Sequence, residues 1–336
     1  MPDTRRAFFA TCIGTAAAAA APQDQPNPTI KTGVKVVNVY ATVRNKKRQI
    51  IKTLTQDDFS IDEDTRPQTI RYFARESDLE LTLGLLIDTS GSQRTVIGEE
   101  RSASYRFIDQ VLREDKDFAF LIRFDHDVEL VVDLTSSRKP LEKGIYDLRA
   151  AVPGGSRRGG GTARYDSVLL ASDEVLARQH GRKAIIVMSD GEDRGSKVRI
   201  KRAIDAAQQA DTLVYSILFA AQRDNPYPSY GGMGGGRRRG GGGPRMPPPR
   251  ETGPDGDGKK VLERLARETG GSFFTVSHKQ PLSVIFERMQ EELRNQYSLG
   301  YTPDTQAKPG EFRKIHVATR DKTLIVQSRD GYYGSN

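Results

Sequence analysis

Three short runs set what this chain can fold into: LTLGLLID (81–88), AIIVMSD (184–190) and TLVYSILFA (212–220). Each is apolar at nearly every position. A strand with one wet face alternates, whereas a strand covered on both faces does not. The stretches between them have helical spacing. Residues 95–114 place Val96, Tyr105, Phe107, Ile108, Val111 and Leu112 on one side. YDSVLLASDEVLAR (165–178), VRIKRAIDAAQQA (198–210), KKVLERLARETGG (259–271) and LSVIFERMQEELRNQ (282–296) read the same way. DFAFLIRF and VELVVDL are further strands, and SFFTV another. Alternating apolar strands and amphipathic helices predict an α/β fold: a doubly wound, mostly parallel central sheet flanked by helices. Such sheets bind ligands beyond the carboxyl ends of their strands.

The segments on either side are different. VKVVNVYATV, then DFSIDEDTRPQTIRYF, alternate with a period near two, and YSLGYTP, FRKIHVAT and TLIVQSRDGYY do so again near the end. The expected organisation is a β-rich flank over 30–77, an α/β domain over 79–290, and a second β-rich flank over 296–334, the two flanks pairing into one small module. Residues 222–258 interrupt the α/β domain with a Gly/Arg/Pro-rich, low-complexity stretch that cannot build a core. The formal net charge is +8, and part of the excess sits there, in Arg237, Arg238, Arg239, Arg245 and Arg250. The charge is therefore read first as a property of that insertion, which could contact an anionic envelope surface. Nucleic acid is not expected as a partner.

The chain starts MPDTRRAFFATCIGTAAAAAAPQDQP. Two arginines, an apolar run and small residues before Pro22 have the layout of an export signal over 1–22. TRRAFF is similar to the twin-arginine motif. The expected location is periplasmic or extracellular. The one cysteine, Cys12, lies in this leader, so no internal disulfide is expected. No stretch reaches the ~18 apolar residues of a spanning helix.

Chemistry-bearing residues gather at strand ends. DTSGS (88–92) closes the first apolar run, with Asp88, Ser90 and Ser92 two apart and Gly91 free to bend. GGGTARYD (159–166) brings Thr162 just before a helix, and MSDGED (188–193) brings Asp190 to the end of another strand. Three loops thus offer three hydroxyls and two carboxylates at one sheet edge. Hard cations want such oxygens, keep several waters and need an open position. Glu192 and Asp193 either tune that site or are solvated loop acids. RFDHDVEL (123–130) reads as a hairpin turn, and His180, His278 and His316 have no partner at ligand spacing. No GxSxG elbow is present, and GGGT lacks the lysine of a phosphate loop.

Asp88-x-Ser90-x-Ser92, Thr162, and Asp190 before Gly191, in this strand order, resemble the metal-ion-dependent adhesion site of the von Willebrand factor type A domain. QDDFSIDED, RPQTIRYFARES, LRNQYSLGYTP and FRKIHV are also similar to the flanks of a bacterial subgroup, the VWFA-related domain proteins. The resemblance implies that Ser90 and Ser92 contact a metal directly and Thr162 directly or through water. Asp88 and Asp190 would hold coordinating waters. It implies Mg2+ first, with Mn2+ and Ca2+ as alternatives, and a protein partner that offers an acidic residue to the metal. The expected function is a non-enzymatic binding module. The alternatives are an accessory or chaperone-like envelope subunit in which the metal is only structural, and a metal-dependent hydrolase.

Overall fold

The computed structural model describes residues 36–76, 80–90, 97–148, 162–191, 193, 195–219 and 258–334. Its centre is a six-stranded sheet in the order β10-β9-β8-β5-β6-β7. The strands are β5 (Leu81–Asp88), β6 (Phe118–Phe124), β7 (Val128–Thr135), β8 (Arg182–Ser189), β9 (Thr212–Phe219) and β10 (Phe273–Val276). All pair in parallel except β7, which runs back along β6. Every residue of β5, β8 and β9 is buried, as their unbroken apolar runs require.

The pleat divides those residues between two cores. Leu83, Leu85, Ile87, Ala184, Ile186 and Met188 face one side. There they meet α1 (Ile97–Val111), α2 (Arg138–Asp147) and α6 (Leu282–Arg294). Leu86, Ile185 and Val187 face the other side, toward α3 (Arg164–Leu170), α4 (Ile200–Gln209) and α5 (Gly258–Thr269). The expected fold class is the observed one. Two local features differ from the sequence reading. The helix expected over 165–178 is α-helical only to Leu170, then widens into one π turn (Ala171–Val175) and tightens into a 3-10 turn (Leu176–Arg178). Helix α2 was not anticipated, because Pro140 and Gly144 weaken its pattern. Gly144 is needed there: a Cβ would lie 2.4 Å from Val132 Cγ2.

The flanks form two four-stranded antiparallel sheets. One has the order β13-β1-β11-β4 and the other β14-β12-β2-β3. Their strands are β1 (Val37–Arg44), β2 (Phe59–Glu63), β3 (Arg66–Gln68), β4 (Ile70–Glu76), β11 (Gln296–Tyr301), β12 (Phe312–Thr319), β13 (Ile325–Gln327) and β14 (Gly331–Tyr333). Val39, Val43 and Leu299 of the first sheet share a core with Ile61, Ile315 and Val317 of the second. The α/β domain is spliced between neighbouring strands of this module, since β4 pairs with β11 and Gln296 lies opposite Glu76.

A buried polar cluster ties the two parts together. Arg44 of β1 meets Glu292 of α6 at 2.5 Å. Glu292 also accepts from Ser272 Oγ at 2.6 Å, and Arg44 Nη1 donates to Gln327 Oε1 at 2.7 Å. Burial pushes the Glu292 carboxyl up, and the Arg44 guanidinium and the Ser272 hydroxyl pull it back. Removing one partner of such a pair leaves a lone buried charge and costs about 3–5 kcal/mol, whereas replacing both with apolar groups is often neutral. Arg44→Met is therefore expected to lose stability of that order at pH 8, and Arg44→Met/Glu292→Leu to regain most of it. Urea unfolding of the two variants checks this; equal losses in both would show that the pair is not the tie.

Candidate metal centre

Strand β5 delivers Asp88 to the carboxyl edge of the sheet at its middle. The connection from β5 runs to β6 on one side, and that from β8 runs to β9 on the other. The gap between β5 and β8 is thus where the strand order reverses, the place where open α/β sheets leave a crevice. Past the strand end, Thr89 N–H donates to Phe124 O at 2.9 Å, which keeps the chain along β6 for one more residue. The chain then turns. Ser90 N–H donates to Asp88 Oδ1 at 2.9 Å, an Asx-type turn closed by the aspartate itself.

The second carboxylate oxygen is also held. Ser189 Oγ donates to Asp88 Oδ2 at 2.8 Å and accepts from Gly191 N–H at 3.2 Å. Ser189 thereby connects the first loop to the third, a role the sequence did not reveal, because serine at a strand end looks like any polar punctuation. Asp88 has no exposed surface. Burial pushes its carboxyl up to about 6. The hydrogen bonds from Ser90 and Ser189 oppose this, and the charge of Asp190 adds to it.

Thr162 is buried at the end of the second loop. Its carbonyl accepts from Gly195 N–H at 3.2 Å, and Ala163 N–H donates to Asp125 O at 2.7 Å. The start of α3 is braced to the loop after β8. Tyr165 N–H donates to Ser196 Oγ at 2.9 Å, and Ser196 Oγ donates to Asp193 Oδ2 at 2.7 Å. The Asp166 carboxylate accepts from Lys197 N–H at 2.9 Å and Val198 N–H at 3.1 Å. Asp193 is thus a half-buried brace between loops. Residues 125–127 form the tight turn between β6 and β7, with Asp127 N–H bonded to Asp125 Oδ1 at 3.0 Å and His126 exposed.

Four of the five expected ligands, Asp88, Ser90, Thr162 and Asp190, therefore lie on three braced loops at one edge. Ser92, with Gly91 and Glu192, lies outside the described residues, as does nearly all of the 222–258 insertion. The insertion rejoins the fold at this rim. Gly191 has φ +88 and touches Gly258 so closely that a Cβ on Gly258 would sit 2.2 Å from Gly191 O. Among the described residues no group of three or more His, Cys, Asp or Glu could hold an ion. The donors here are two carboxylates and two hydroxyls, all oxygen, as a hard dication requires. A fully buried carboxylate with a second carboxylate beside it is also what a cation would relieve. The residues present fit such an ion.

The upward shift of Asp88 has a consequence for stability. Its folded value of about 6 lies above the usual 3.8. The metal-free protein therefore holds a proton that the unfolded chain releases, and it loses stability as pH rises from about 4 to about 6. Asn at this position keeps an acceptor for Ser90 N–H and removes the buried charge. In EDTA at pH 7.5, Asp88→Asn is expected to melt no lower than the parent, and the pH-dependent loss to shrink. Added Mg2+ should raise the melting temperature of the parent only. A variant that melts several degrees lower in EDTA would show that the charge is already compensated without metal.

Residues 83–192 match the von Willebrand factor type A domain family. Similar solved structures include proximal thread matrix protein 1 from the mussel byssus, in a form described with a zinc-occupied MIDAS motif. It is 15% identical over 69% of this chain and 49% of that one, with a TM-score of 0.48. BatB from Bacteroides thetaiotaomicron is 18% identical over 64% and 97%, with a TM-score of 0.45. A von Willebrand factor type A protein from Catenulispora acidiphila is 13% identical over 83% and 74%, with a TM-score of 0.44. The chain spans about half the length of the mussel protein. No curated protein matches it.

Proposed function

We propose that the von Willebrand factor type A domain at residues 83–192 makes this chain a protein-interaction module. It would use a divalent cation held by Asp88, Ser90, Ser92, Thr162 and Asp190 to recognise an acidic residue of a protein partner. The observation that carries this is Asp88. A carboxylate with no exposed surface ends the central strand at the point of strand-order reversal, with Ser90, Thr162 and Asp190 on the loops around it.

The bound dication supplies an electrophilic centre with a position open to a carboxylate oxygen. The chain supplies the rest. Asp88 is fixed by Ser90 N–H and Ser189 Oγ, so its charge is held in place. Ser90, Ser92 and Thr162 would offer neutral hydroxyls, so that no directly bound carboxylate of the chain would compete with an incoming one for the ion. Asp190, half-buried near Asp88, would hold coordinating waters. Mg2+ is the expected ion, with Mn2+ or Ca2+ in its place where those dominate. No enzymatic step is proposed. The TRRAFF leader supports an exported protein that meets its partner in the periplasm or outside the cell. Among the described residues no helix is long and apolar enough to cross a membrane.

The hydrogen bonds that link all three loops favour a second reading, in which the cation is only a brace within an envelope assembly. The two separate experimentally. Mn2+ binding, followed by its electron spin resonance signal, is expected to weaken at least ~10-fold in Ser90→Ala and Thr162→Ala, since loss of an outer-shell partner alone costs ~10–100-fold. Partner proteins from an envelope extract should then be retained by the parent in Mg2+ and lost in EDTA or with Ser92→Ala. Mn2+ binding with identical retention in all three conditions would leave only the brace. Absence of Mn2+ binding by the parent would overturn both readings.

A further inference from the structure

We propose a second binding site, at the opposite edge of the six-stranded sheet, for a small oxyanion: a carboxylate or phosphate group bound by Lys183 and Arg329. A cavity of about 360 Å3 lies there, between the starts of β8 and β9 and strand β1 of the β module. That is within the size range of small-ligand sites. Lys183 and Arg329 line it, and each is only 8% exposed.

Among the described residues these two cations are short of acceptors. The Lys183 ammonium has three N–H groups, and its partner is Gln179 O at 3.2 Å. Arg329 Nη2 donates to Asn38 O at 2.7 Å, Nη1 pairs with Asp211, and Nε has no acceptor among the described residues. Of the described residues lining the cavity, Asp211 is the one carboxylate, and its side chain is 59% exposed. His180 adds an imidazole at the same wall. With His180 neutral the lining carries one net positive charge. Burial pushes the Lys183 ammonium below its ordinary value; Asp211 opposes this and Arg329 reinforces it.

The surrounding backbone does not fill the gap. Helices α4 and α5 end at this cavity, and helix carboxyl ends favour cations. Several of their last carbonyls are already taken, however. Ala206 O and Gln208 O accept from Ala210 and Asp211 N–H, Ala266 O accepts from Gly271 N–H, and Glu268 O accepts from Gln208 Nε2. The helix ends therefore help to explain why cations can be buried here, without giving them acceptors. The turn at Asp211 has φ 51, the left-handed state that aspartate adopts more readily than most residues after a helix end. An oxyanion in the cavity would receive charge-assisted hydrogen bonds from Lys183 and Arg329, which are about twice as strong as neutral ones.

The test is calorimetric titration of the full chain with orthophosphate and, separately, with glutarate, in EDTA and at ionic strength matched with chloride. EDTA makes the outcome independent of the metal reading. Saturable one-to-one binding of either anion is expected, and the two arms tell phosphate from carboxylate. Lys183→Met should weaken it at least about tenfold. Asp211→Asn, which removes the competing carboxylate, should tighten it severalfold. No saturable heat with either anion would overturn the proposal. So would binding unaltered in Lys183→Met, which would mean an adventitious ion only. If Lys183→Met does not fold, Asp211→Asn decides: unchanged or weaker affinity rejects the site.

Discussion

Burial of β5, β8 and β9 on both faces is the constraint from which the rest of the structure follows. Strands with apolar side chains on both sides need two covering layers, and helices in the crossovers provide them. Once α1, α2 and α6 cover one face and α3, α4 and α5 the other, each parallel strand must start at one edge and finish at the opposite one. Polar loops are then sorted into two sets by chain direction alone. The set at the carboxyl edge holds Asp88, Ser90, Thr162 and Asp190. At the amino edge stand Lys183, the second residue of β8, and Asp211, in the turn before β9.

The same burial gives Asp88 its character. An aspartate at the end of an exposed strand would be hydrated and unremarkable in its titration. Here the flanking layers remove water, and the carboxylate is held by donors from its own turn at Ser90 and from Ser189. A buried charge so placed destabilises the fold unless something positive shares it. The loops around it are meanwhile tied to each other by Ser189, Asp193, Ser196 and Asp166. Preorganised oxygens next to a buried carboxylate are what the proposed cation site would use, without any histidine or cysteine.

The β module is more than an appendage. It is closed by strands from both ends of the chain, and β4 and β11 lie side by side where the α/β domain leaves and returns. The Arg44–Glu292 pair carries that junction into the interior, coupling β1 to the last helix. Where β1 passes the amino edge of the sheet, Asn38 and Arg329 help to enclose the cavity beside Lys183. A charged pocket at a junction between layers arises readily, because neither layer alone can bury the lysine stem and still leave its head in a polar space.

The sequence by itself determined the layers. Unbroken apolar runs specified doubly covered strands, period-two flanks specified a β module, and the order Asp88, Ser90, Ser92, Thr162, Asp190 specified which loops carry oxygen donors. These are local properties, written in side-chain spacing. Helix α2 escaped because Pro140 and Gly144 obscure its period, and a Cβ at Gly144 would crowd Val132 and Leu121 of the sheet. The π turn at Ala171–Val175 left no mark on the spacing at all. What tertiary structure alone decided was adjacency. The strand order put the ends of β5 and β8 side by side, so Ser189, one hundred and one residues away, became the donor that fixes Asp88. It also brought Arg329, between β13 and β14, to the cavity that Lys183 lines. Hydrogen bonds and desolvation depend on distances in space, and no spacing along the chain encodes those until the sheet has chosen its neighbours.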